Sequence, residues 1–238
     1  MSIRVLSIII PVYNESATIR LVLERVCAVK LMNGIEKEII VIDDGSTDQS
    51  GEIIKKYVSD SRESIIFKSN SRNSGKGASV AKGVRIASGD FTVIQDADLE
   101  YDPRELNILL EPVVQGYADV VYGSRFLAGK AHRILFFWHS QGNKFLTFLS
   151  NIFTNLNMTD METCYKMVKT SMFKSIKIKE KRFGFEPEIT AKLSKIPDIR
   201  IYEVGISYYG RKFQEGKKIN WKDGIWAIYC ILRYNLFP

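Results

Sequence analysis

The sequence predicts an α/β fold, a mostly parallel, doubly wound sheet flanked by helices. Three observations predict it. Short apolar runs alternate with amphipathic stretches over the first 125 residues, the connections between them are short, and polar clusters follow several of the apolar runs. Strand–helix alternation with short connections is typical of a parallel sheet. In such sheets, ligands gather beyond the carboxyl ends of the strands, so the polar clusters are the candidate site.

The first elements have clear local patterns. Leu6–Pro11 is a continuous apolar run, as expected of a buried strand. Glu15–Val29 repeats apolar residues at helical spacing, which predicts a helix with one apolar face. Ile39–Asp43 is a second apolar run and predicts the second strand.

The second helix begins in a turn that is rich in capping residues. Ser46 or Thr47 can cap it, and the helical pattern runs to Tyr57. The later elements follow the same two patterns, and proline, a good first-turn residue, opens the last helix of this half. The later elements are predicted at Ser64–Lys68 (strand), Gly77–Ala87 (helix), Phe91–Gln95 (strand), Pro103–Leu110 (helix) and Val120–Tyr122 (strand).

The composition is that of a folded chain with an excess of basic residues. With 238 residues, 45% of them hydrophobic and 26% charged, the chain can bury one substantial core, so we expect a single domain over residues 1–238. The formal net charge is +7. The excess is concentrated in residues 120–159, which contain no acid, and in residues 204–238. Uneven basic charge indicates an anionic partner: nucleic acid, a phosphorylated substrate or an anionic lipid.

The cysteines and the apolar segments predict a reduced compartment and no membrane crossing. Cys27, Cys164 and Cys230 are far apart and odd in number, which fits neither a disulfide framework nor a metal-ligand spacing. The apolar run Ile8–Val12 is too short for a signal peptide. No window reaches the ~18 uncharged apolar residues of a spanning helix, and we therefore expect a cytoplasmic protein.

Three polar clusters carry the candidate chemistry: residues 11–15, 43–46 and 96–98. In the last of them, Asp96 and Asp98 leave a strand two positions apart and repel each other unless a cation lies between them. Mg²⁺ or Mn²⁺ with oxygen ligands suits that place, although a solvated turn is the alternative. The chain lacks Gly-x-Gly-x-x-Gly after its first strand and a Walker loop, so any nucleotide site has another layout.

The motifs occur in a fixed order over about residues 5–235. They are Ile10–Glu15, Ile42–Asp48, Gly75–Gly77, Gly89–Asp90, Gln95–Glu100, Gly123–Arg125, Thr159–Lys166 and Tyr209–Lys212. Each motif is common by itself, but the ordered set resembles glycosyltransferase family 2. Within that family it is most similar to the polyprenyl (dolichyl) phosphate mannose and glucose synthases. The resemblance implies a GT-A fold, a nucleotide-sugar donor and a divalent metal, Mg²⁺ or Mn²⁺.

The resemblance also implies where the donor and the metal bind. Asp96, Asp98 and Glu100 are the implied metal ligands, and Asp98 is also catalytic, since the cation neutralises the departing diphosphate. Glu100 is a departure, because the polyprenyl-phosphate enzymes often carry Gln there. The implied nucleotide-sugar residues are Pro11, Tyr13, Asn14, Glu15, Asp43, Asp44, Lys76, Asp96, Ala97, Asp98, Arg211 and Lys217.

The predicted acceptor is a phosphate, and the prediction rests on Arg125 and on the chemistry of the attacking oxygen. Arg125 comes after the fifth strand, and its guanidinium matches a phosphate; the resemblance makes it a catalytic residue at the acceptor phosphate. Ser140 and Asn143 are the other predicted acceptor-binding residues. A phosphate oxygen is already anionic at neutral pH and needs no base, so catalysis would rest on positioning and charge stabilisation, with inversion of the anomeric centre. A hydroxyl acceptor would need Asp160 or Glu186 as base.

Two amphipathic helices in the second half of the chain are predicted to lie at a membrane surface. Both have aromatic residues and basic flanks, as interfacial helices do, although packing against the core is the commoner explanation of such stripes. The apolar residues are Ile134–Trp138, Phe145, Leu149, Ile152, Phe153 and Leu156 in the first helix, and Trp221, Ile225, Tyr229, Leu232 and Leu236 in the second. These helices belong to a predicted acceptor half, residues 126–238, which follows a nucleotide-sugar half, residues 1–125.

The predicted function is that of a peripheral, cytoplasm-facing inverting glycosyltransferase. It would move a hexose from GDP-mannose or UDP-glucose to a polyprenyl phosphate. Two alternatives stay open: a saccharide hydroxyl as acceptor, or a non-catalytic nucleotide-sugar-binding subunit with a membrane-anchored partner. Nucleic acid is disfavoured, because no recognised binding motif accompanies the basic residues.

Several site residues have structural alternatives. Glu15 and Asp43 can cap helix starts, and Asp44 can hold its turn together. The turn around Lys76 can be a plain glycine-rich turn, and Arg211 can be merely solvated. Only the geometry of the folded chain decides among these roles.

Overall fold

The centre of the fold is a seven-stranded sheet. The computed structural model describes residues 3–127, 133–134, 136–211 and 221–237. Within these ranges the strands are β1 (Val5–Val12), β2 (Glu36–Asp43), β3 (Ile65–Ser69), β4 (Phe91–Ile94), β5 (Val120–Ser124), β6 (Lys166–Lys169) and β7 (Ile201–Gly205). They are hydrogen-bonded in the order β3-β2-β1-β4-β6-β5-β7. β6 runs antiparallel to both of its neighbours, and the other pairs are parallel.

Helices flank this sheet. In the described ranges the α-helices are α1 (Ile19–Ala28), α2 (Ser50–Asp60), α3 (Lys76–Ile86), α4 (Leu106–Val114), α5 (Phe137–Thr154), α6 (Thr170–Ser175), α7 (Phe185–Leu193) and α8 (Trp221–Leu236). Short 3₁₀ turns at Met32–Gly34 and Pro103–Glu105 precede β2 and α4. The mostly parallel sheet with flanking helices confirms the predicted fold class.

The core lies along the apolar runs that predicted the strands. β4 is buried over its whole length, and β1 is buried from Leu6 to Ile10. α1 buries Ile19, Val22, Leu23 and Val26, the residues whose spacing predicted its inner face. Burying one such aliphatic side chain contributes about 1.5–3 kcal/mol, so these runs are the main source of stability in the first half of the chain.

The predicted cap of α2 was wrong. The helix begins at Ser50 rather than after Ser46 or Thr47. Asp48 Oδ1 accepts the Ser50 N–H at 2.9 Å, and Ser46 serves the turn instead, since its Oγ accepts the Asn14 N–H at 3.0 Å. The connections of β1 and β2 are thereby tied to each other at the carboxyl edge of the sheet.

The second half of the chain contains elements that the sequence did not predict, namely β6, β7, α6 and α7. α5, α7 and α8 pack against one another. α8 buries Ala227, Cys230, Ile231 and Tyr234, which lie on a different face from the predicted apolar stripe. In the described ranges, no helix has both the length and the hydropathy to cross a membrane.

The aromatic stripes of α5 and α8 are exposed. Trp138 and Trp221 have 81% and 72% of their surface accessible. Packing against the protein's own core therefore does not explain these exposed residues, although Leu149, Phe153 and Leu156 of the predicted first stripe do pack against the core. The exposed residues form an apolar surface on two neighbouring helices. We call it the aromatic surface; its members are Ile134, Phe136, Phe137, Trp138, Phe145, Phe148, Ile152, Trp221, Ile225, Trp226 and Tyr229.

Candidate functional site

Three carboxylates surround one guanidinium at the carboxyl edge of the sheet. Arg211 donates from its two terminal nitrogens to the two carboxylate oxygens of Glu15, each at 3.0 Å, and from Nη2 to Asp98 Oδ2 at 3.1 Å. Glu100 Oε1 accepts the Arg211 backbone N–H at 2.7 Å and lies 3.9 Å from its Nε. All four side chains are largely buried. We call Glu15, Asp98 and Glu100 the acidic cluster.

The local backbone explains how these residues meet. β1 and β4 are parallel neighbours, so the chain leaves both at the same edge. Leu99 has a φ of 64°, a conformation that branched residues rarely adopt, and the sharp turn it makes lets Asp98 and Glu100 both reach Arg211. The segment that carries Arg211 is tied to this turn, because the Tyr209 N–H donates to the Glu100 carbonyl at 3.0 Å.

The acidic cluster contains more negative charge than Arg211 can balance. Burial and the repulsion of Asp96 and Glu100 raise the pKa of Asp98 to about 7, against the opposing attraction of Arg211. A single guanidinium therefore does not neutralise the carboxylates that meet here. A further positive charge would be stabilised at this place.

Asp96 lies on the other side of this turn, against Lys76. Lys76 Nζ is 3.0 Å from Asp96 Oδ1 and 3.2 Å from Glu186 Oε1. Burial alone would lower the pKa of Lys76, but the carboxylates of Asp96 and Glu186 raise it well above its usual value. The ammonium is thus held charged at the start of α3. Gly75 and Gly77 permit this, because a Cβ at either would lie 2.2 Å from a carbonyl oxygen of residues 180–181.

The predicted metal ligands do not converge in one place. Asp98 and Glu100 face Arg211, whereas Asp96 faces Lys76. Within the described parts of the chain, no three His, Cys, Asp or Glu side chains are arranged as a ready metal site. The donor set of Asp98 and Glu100 nevertheless fits Mg²⁺ or Mn²⁺, which are commonly held by one or two carboxylates together with substrate phosphates and water. Their crowding supplies the electrostatic reason for a cation here.

The two carboxylates at the end of β2, Asp43 and Asp44, accept hydrogen bonds from other parts of the protein. Asp43 accepts from the Ser46 N–H at 3.1 Å and from the Ser69 hydroxyl at 3.2 Å. Asp44 accepts the backbone N–H groups of Ser74 and Gly75, and so holds the loop that leads to Lys76. Asp44 therefore holds the surrounding loops together, which is the structural alternative given for it in the sequence.

A pocket of about 760 Å³ opens beside the acidic cluster. It extends from the β1–α1 connection, with Asn14 and Glu15, past Asp98 to Tyr209 and Arg211. This volume suits a small-molecule ligand. Of the predicted donor residues, Asn14, Glu15, Asp98 and Arg211 line this pocket. Outside its lining, although near the same edge of the sheet, are Pro11, Tyr13, Asp43, Asp44, Lys76, Asp96 and Ala97. Lys217 falls outside the described residues.

A second charged group lies where β5 ends. Arg125 makes a two-pronged ion pair with Asp160, with Nε 2.6 Å from Oδ2 and Nη2 2.7 Å from Oδ1. Asn143 of α5 donates to Asp160 Oδ1 at 3.2 Å, and Ser140 lies on the same helix, half-exposed. Asp160 has no accessible surface. The structure thus brings together Arg125 and Asn143 of the predicted acceptor residues, and it ties down Asp160, one of the two alternative bases.

Tyr208 joins the two charged groups and was missed in the sequence. Its hydroxyl donates to Glu100 Oε2 at 2.8 Å, and its ring lies 5.2 Å from the Arg125 guanidinium carbon. A tyrosine in an unassigned loop has no local pattern that marks it. Its position becomes apparent only when the chain folds.

Glu162 and Lys166 were also missed, although both lie in a motif that carries the family resemblance. Glu162 Oε1 is buried without a partner, as is Oε2 of Glu186. Burial lowers the pKa of Lys166, although Glu186 and Glu162 oppose this shift. These side chains form a polar group within the fold, next to the Lys76 ion pairs.

Glu162 predicts a pH-dependent stability. Burial and the repulsion of Glu186 raise the pKa of Glu162 to about 8 from 4.5, even though Lys166 and Arg125 lower it and Asp160 adds to the rise. The folded protein therefore keeps a proton that the unfolded chain releases. This contribution to stability is complete below about pH 4.5 and is lost as the pH rises through about 8.

We expect the melting temperature of the wild type to fall between about pH 5 and 8 more steeply than that of Glu162→Gln, which cannot titrate there. Differential scanning fluorimetry at constant ionic strength measures both slopes. Parallel slopes would show that Glu162 does not hold a proton over this range.

Comparison with known proteins places the chain in a family. Residues 7–177 match the family described as Glycosyl transferase family 2. The undecaprenyl-phosphate 4-deoxy-4-formamido-L-arabinose transferase of Pectobacterium carotovorum is 40% identical over 119 residues, which is 50% of this chain and 36% of that protein. The protein of the same name from Photorhabdus laumondii is 27% identical over 215 residues, 90% of this chain and 63% of the relative. The chain thus spans less than two thirds of these relatives.

Solved structures agree on the fold. Glucosyl-3-phosphoglycerate synthase from Mycobacterium tuberculosis, in complex with Mn²⁺ and UDP-glucose, superposes with a TM-score of 0.73 at 19% identity and covers 99% of this chain and 80% of that one. The same enzyme with UDP alone gives a TM-score of 0.75 at 18% identity, with 99% and 81% covered. At this identity the likeness shows the GT-A fold alone. Because the family match covers well over half of its residues, the chain belongs to glycosyltransferase family 2.

Proposed function

We propose that this protein is a metal-dependent inverting glycosyltransferase that moves a sugar from a nucleotide sugar to a polyprenyl phosphate. The observation that carries the proposal is the acidic cluster, which borders the large pocket at the carboxyl edge of the sheet. The edge position is where ligands bind in open α/β sheets. The names of the relatives support the acceptor, since they transfer to undecaprenyl phosphate.

The donor would lie in the pocket with its diphosphate towards the acidic cluster. Asp98 and Glu100 would hold the metal, which when bound neutralises charge on the departing nucleoside diphosphate. Lys76 and Arg211 are the nearby cations that can bind diphosphate oxygens. Glu15 follows β1 and Asp43 ends β2, where carboxylates can accept from the base and the ribose hydroxyls. Both already accept from protein groups, Glu15 from Arg211 and Asp43 from Ser46 and Ser69, so a donor would share or replace these bonds.

The acceptor would lie at Arg125, with Asn143 and Ser140 on α5. A phosphate monoester is supported by the state of Asp160, because both of its oxygens are bound to Arg125. Glu186 is paired with Lys76 through Oε1 alone, and its Oε2 has no hydrogen-bond partner. A base for a hydroxyl acceptor must be free to take a proton. For a phosphate oxygen, which is already anionic, orientation and charge complementarity are sufficient.

One observation favours the hydroxyl-acceptor alternative. Glu162 has an unpartnered oxygen and a pKa raised to about 8, so it could accept a proton as a general base at a pH high enough to ionise it. The two acceptors differ in what Glu162→Gln would do. The variant should transfer sugar to a lipid phosphate much as the wild type does, and it should lose transfer to a saccharide hydroxyl.

The sugar and the nucleotide are proposed more broadly than mannose or glucose. The relatives are named for 4-deoxy-4-formamido-L-arabinose, a modified pentose. The donors worth testing are therefore GDP-mannose, UDP-glucose and the UDP-linked modified arabinose. A non-catalytic role is disfavoured, because Asp98, Arg125 and the pocket are all in place.

The proposal is tested by transfer of label into lipid. The protein is incubated with Mg²⁺ or Mn²⁺, undecaprenyl or dolichyl phosphate, and one labelled donor at a time. Label in the organic phase establishes lipid-phosphate glycosylation and identifies the donor. Donor hydrolysis without lipid label would favour a hydroxyl acceptor. Metal-dependent nucleotide binding with neither signal would favour the non-catalytic subunit.

We also propose that the aromatic surface rests on the membrane. A large exposed apolar surface is unusual for a protein that works free in solution. Arg133 and Lys144 are basic residues beside the α5 part of this surface, and Lys222 and Arg233 flank the α8 part, which suits an anionic bilayer. A lipid acceptor would require such a surface. The tail of the lipid stays in the bilayer, so the protein must lie at the membrane for the lipid phosphate to reach Arg125.

Replacing Phe137 and Trp138 together with serine should release the protein from vesicles. Both side chains are more than half exposed, so the double variant should fold while its vesicle affinity falls about tenfold or more, or about 1.4 kcal/mol. Co-sedimentation with vesicles that contain anionic phospholipid measures this loss. Leu21→Ser, an exposed apolar residue of α1, is the matched control and should bind like the wild type. Unchanged binding of the double variant would place the membrane contact elsewhere.

A further inference from the structure

Arg211 lies where a cation would be held by the acidic cluster. It is bound to Glu15 through two parallel hydrogen bonds, and it also contacts the two residues that would hold the metal, Asp98 and Glu100. Its side chain is 17% exposed, so little of this charge is satisfied by solvent. The protein thus provides its own positive charge at the proposed metal site.

The fit of the guanidinium is incomplete. Arg211 Nε is buried without a hydrogen-bond partner, because Glu100 Oε1 lies 3.9 Å away. One positive charge also faces three carboxylates. A divalent cation supplies twice that charge from a single point. By taking Asp98 and Glu100, it would free the Nε and Nη2 edge of the guanidinium for another anion, while Glu15 keeps its pair with the two terminal nitrogens.

A diphosphate is an anion that suits the released guanidinium. The planar guanidinium can bind two phosphate oxygens side by side, as it now binds the two oxygens of Glu15. Arg211 and Asp98 both line the pocket, so such an anion could reach Arg211 without rearrangement of the strands.

We propose that Arg211 is an internal counter-cation, which competes with a divalent metal for Asp98 and Glu100 and pairs with the donor diphosphate once the metal is bound. The inference rests on the proposed function, because it takes the donor to be a nucleoside diphosphate sugar. It has a specific consequence: metal alone binds weakly, nucleotide alone binds weakly, and each strengthens the binding of the other.

The test is Mn²⁺ binding, followed by the electron paramagnetic resonance signal of free Mn²⁺, with and without UDP or GDP. Arg211→Gln should bind Mn²⁺ alone more tightly than the wild type, by about fivefold or more, the lower end of typical couplings between sites. The mutual strengthening of metal and nucleotide should shrink by a similar factor. Arg211→Lys, which keeps the charge, should stay close to the wild type.

Arg104→Gln is the matched control. Arg104 lines the same pocket and pairs with a carboxylate, Asp102, but it is 80% exposed and makes no contact with the acidic cluster. The affinity of Arg104→Gln for Mn²⁺ in the absence of nucleotide should equal that of the wild type. Thermal melting of each variant shows whether the fold is retained, and Arg211→Met, which also removes the charge, serves if Arg211→Gln does not fold.

The outcomes separate the inference from the function on which it rests. If Arg211→Gln binds Mn²⁺ no more tightly than the wild type, while nucleotide still strengthens metal binding, Arg211 does not compete with metal and the inference alone is overturned. If no variant binds Mn²⁺, with or without nucleotide, the metal-dependent function fails as well. Neither readout requires sugar transfer.

Discussion

Asp98→Asn should reduce sugar transfer by about 10²–10³-fold without loss of the fold. The substitution removes the anionic oxygen that faces Arg211 and would face the metal, but it keeps an oxygen able to accept the Glu100 N–H, now at 3.1 Å. Because burial and neighbouring carboxylates already raise the pKa of Asp98 to about 7, removing its charge relieves repulsion. The melting temperature should therefore not fall.

The lipid-label assay measures this effect, and Asp102→Asn is its control. Asp102 belongs to the same loop and is also buried, but its carboxylate pairs with Arg104 outside the acidic cluster. It should retain most of the activity. Transfer by Asp98→Asn at nearly the wild-type rate would remove Asp98 from the mechanism.

Asp160→Asn should lower the free energy of unfolding by about 3–5 kcal/mol. Asp160 has no accessible surface and Arg125 is 13% exposed, so the substitution leaves a guanidinium buried without its counter-charge. Removing one partner of a buried pair is costly for this reason, even where the pair itself contributes little. Urea denaturation, with two-state behaviour checked by a second probe, measures the change.

Asp119→Asn offers a matched comparison. Its partner Arg200 is 52% exposed, so water replaces the lost interaction and the cost should stay within about 1 kcal/mol. Replacing both members of the buried pair, Arg125→Met with Asp160→Leu, should recover part of the stability while transfer to the lipid phosphate is lost. The recovery is partial because the backbone N–H of residue 125 and the Asn143 amide lose Asp160 as acceptor. Equal costs for Asp160→Asn and Asp119→Asn would show that burial does not govern the Arg125–Asp160 pair.

The first half of the fold could be predicted because its pattern is local. β1, β4 and residues 39–42 of β2 are mainly buried apolar runs, and polar residues stand at or just after the end of each strand. Such runs have few alternatives in a chain of this composition. The predicted strands therefore differ from the observed ones by only a few residues at their ends.

The second half could not be predicted in this way. β6 has four residues and a lysine at each end, and Lys166 is fully buried with its ammonium 5.2 Å from the centre of the Tyr122 ring. Nothing in the local pattern distinguishes that lysine from a solvated one. The first turn of α7 likewise contains Glu186, Pro187 and Glu188, all of them buried, where the sequence would place them at the surface.

The candidate site could likewise be predicted only in part from local sequence patterns. Strand ends predicted that Asp96 and Asp98 lie at the carboxyl edge of the sheet, and the structure places them there. Which cation each one meets was not predictable, because residues two apart in a turn can face opposite sides. The pairing of Glu15 with Arg211 joins positions 196 residues apart in the chain, and only the folded structure shows it.

The antiparallel strand β6 has a consequence for the order in which the sheet assembles. β3, β2, β1 and β4 all lie within the first 94 residues, so they can pair as soon as that part of the chain has been synthesised. β5 cannot join them, because its hydrogen-bonded partners in the described chain, β6 and β7, are still to come. Until β6 enters between them, β4 has an open edge of the kind that invites pairing with another chain. A break near residue 125 would therefore not release two folding units: it would leave β5 attached to the wrong piece.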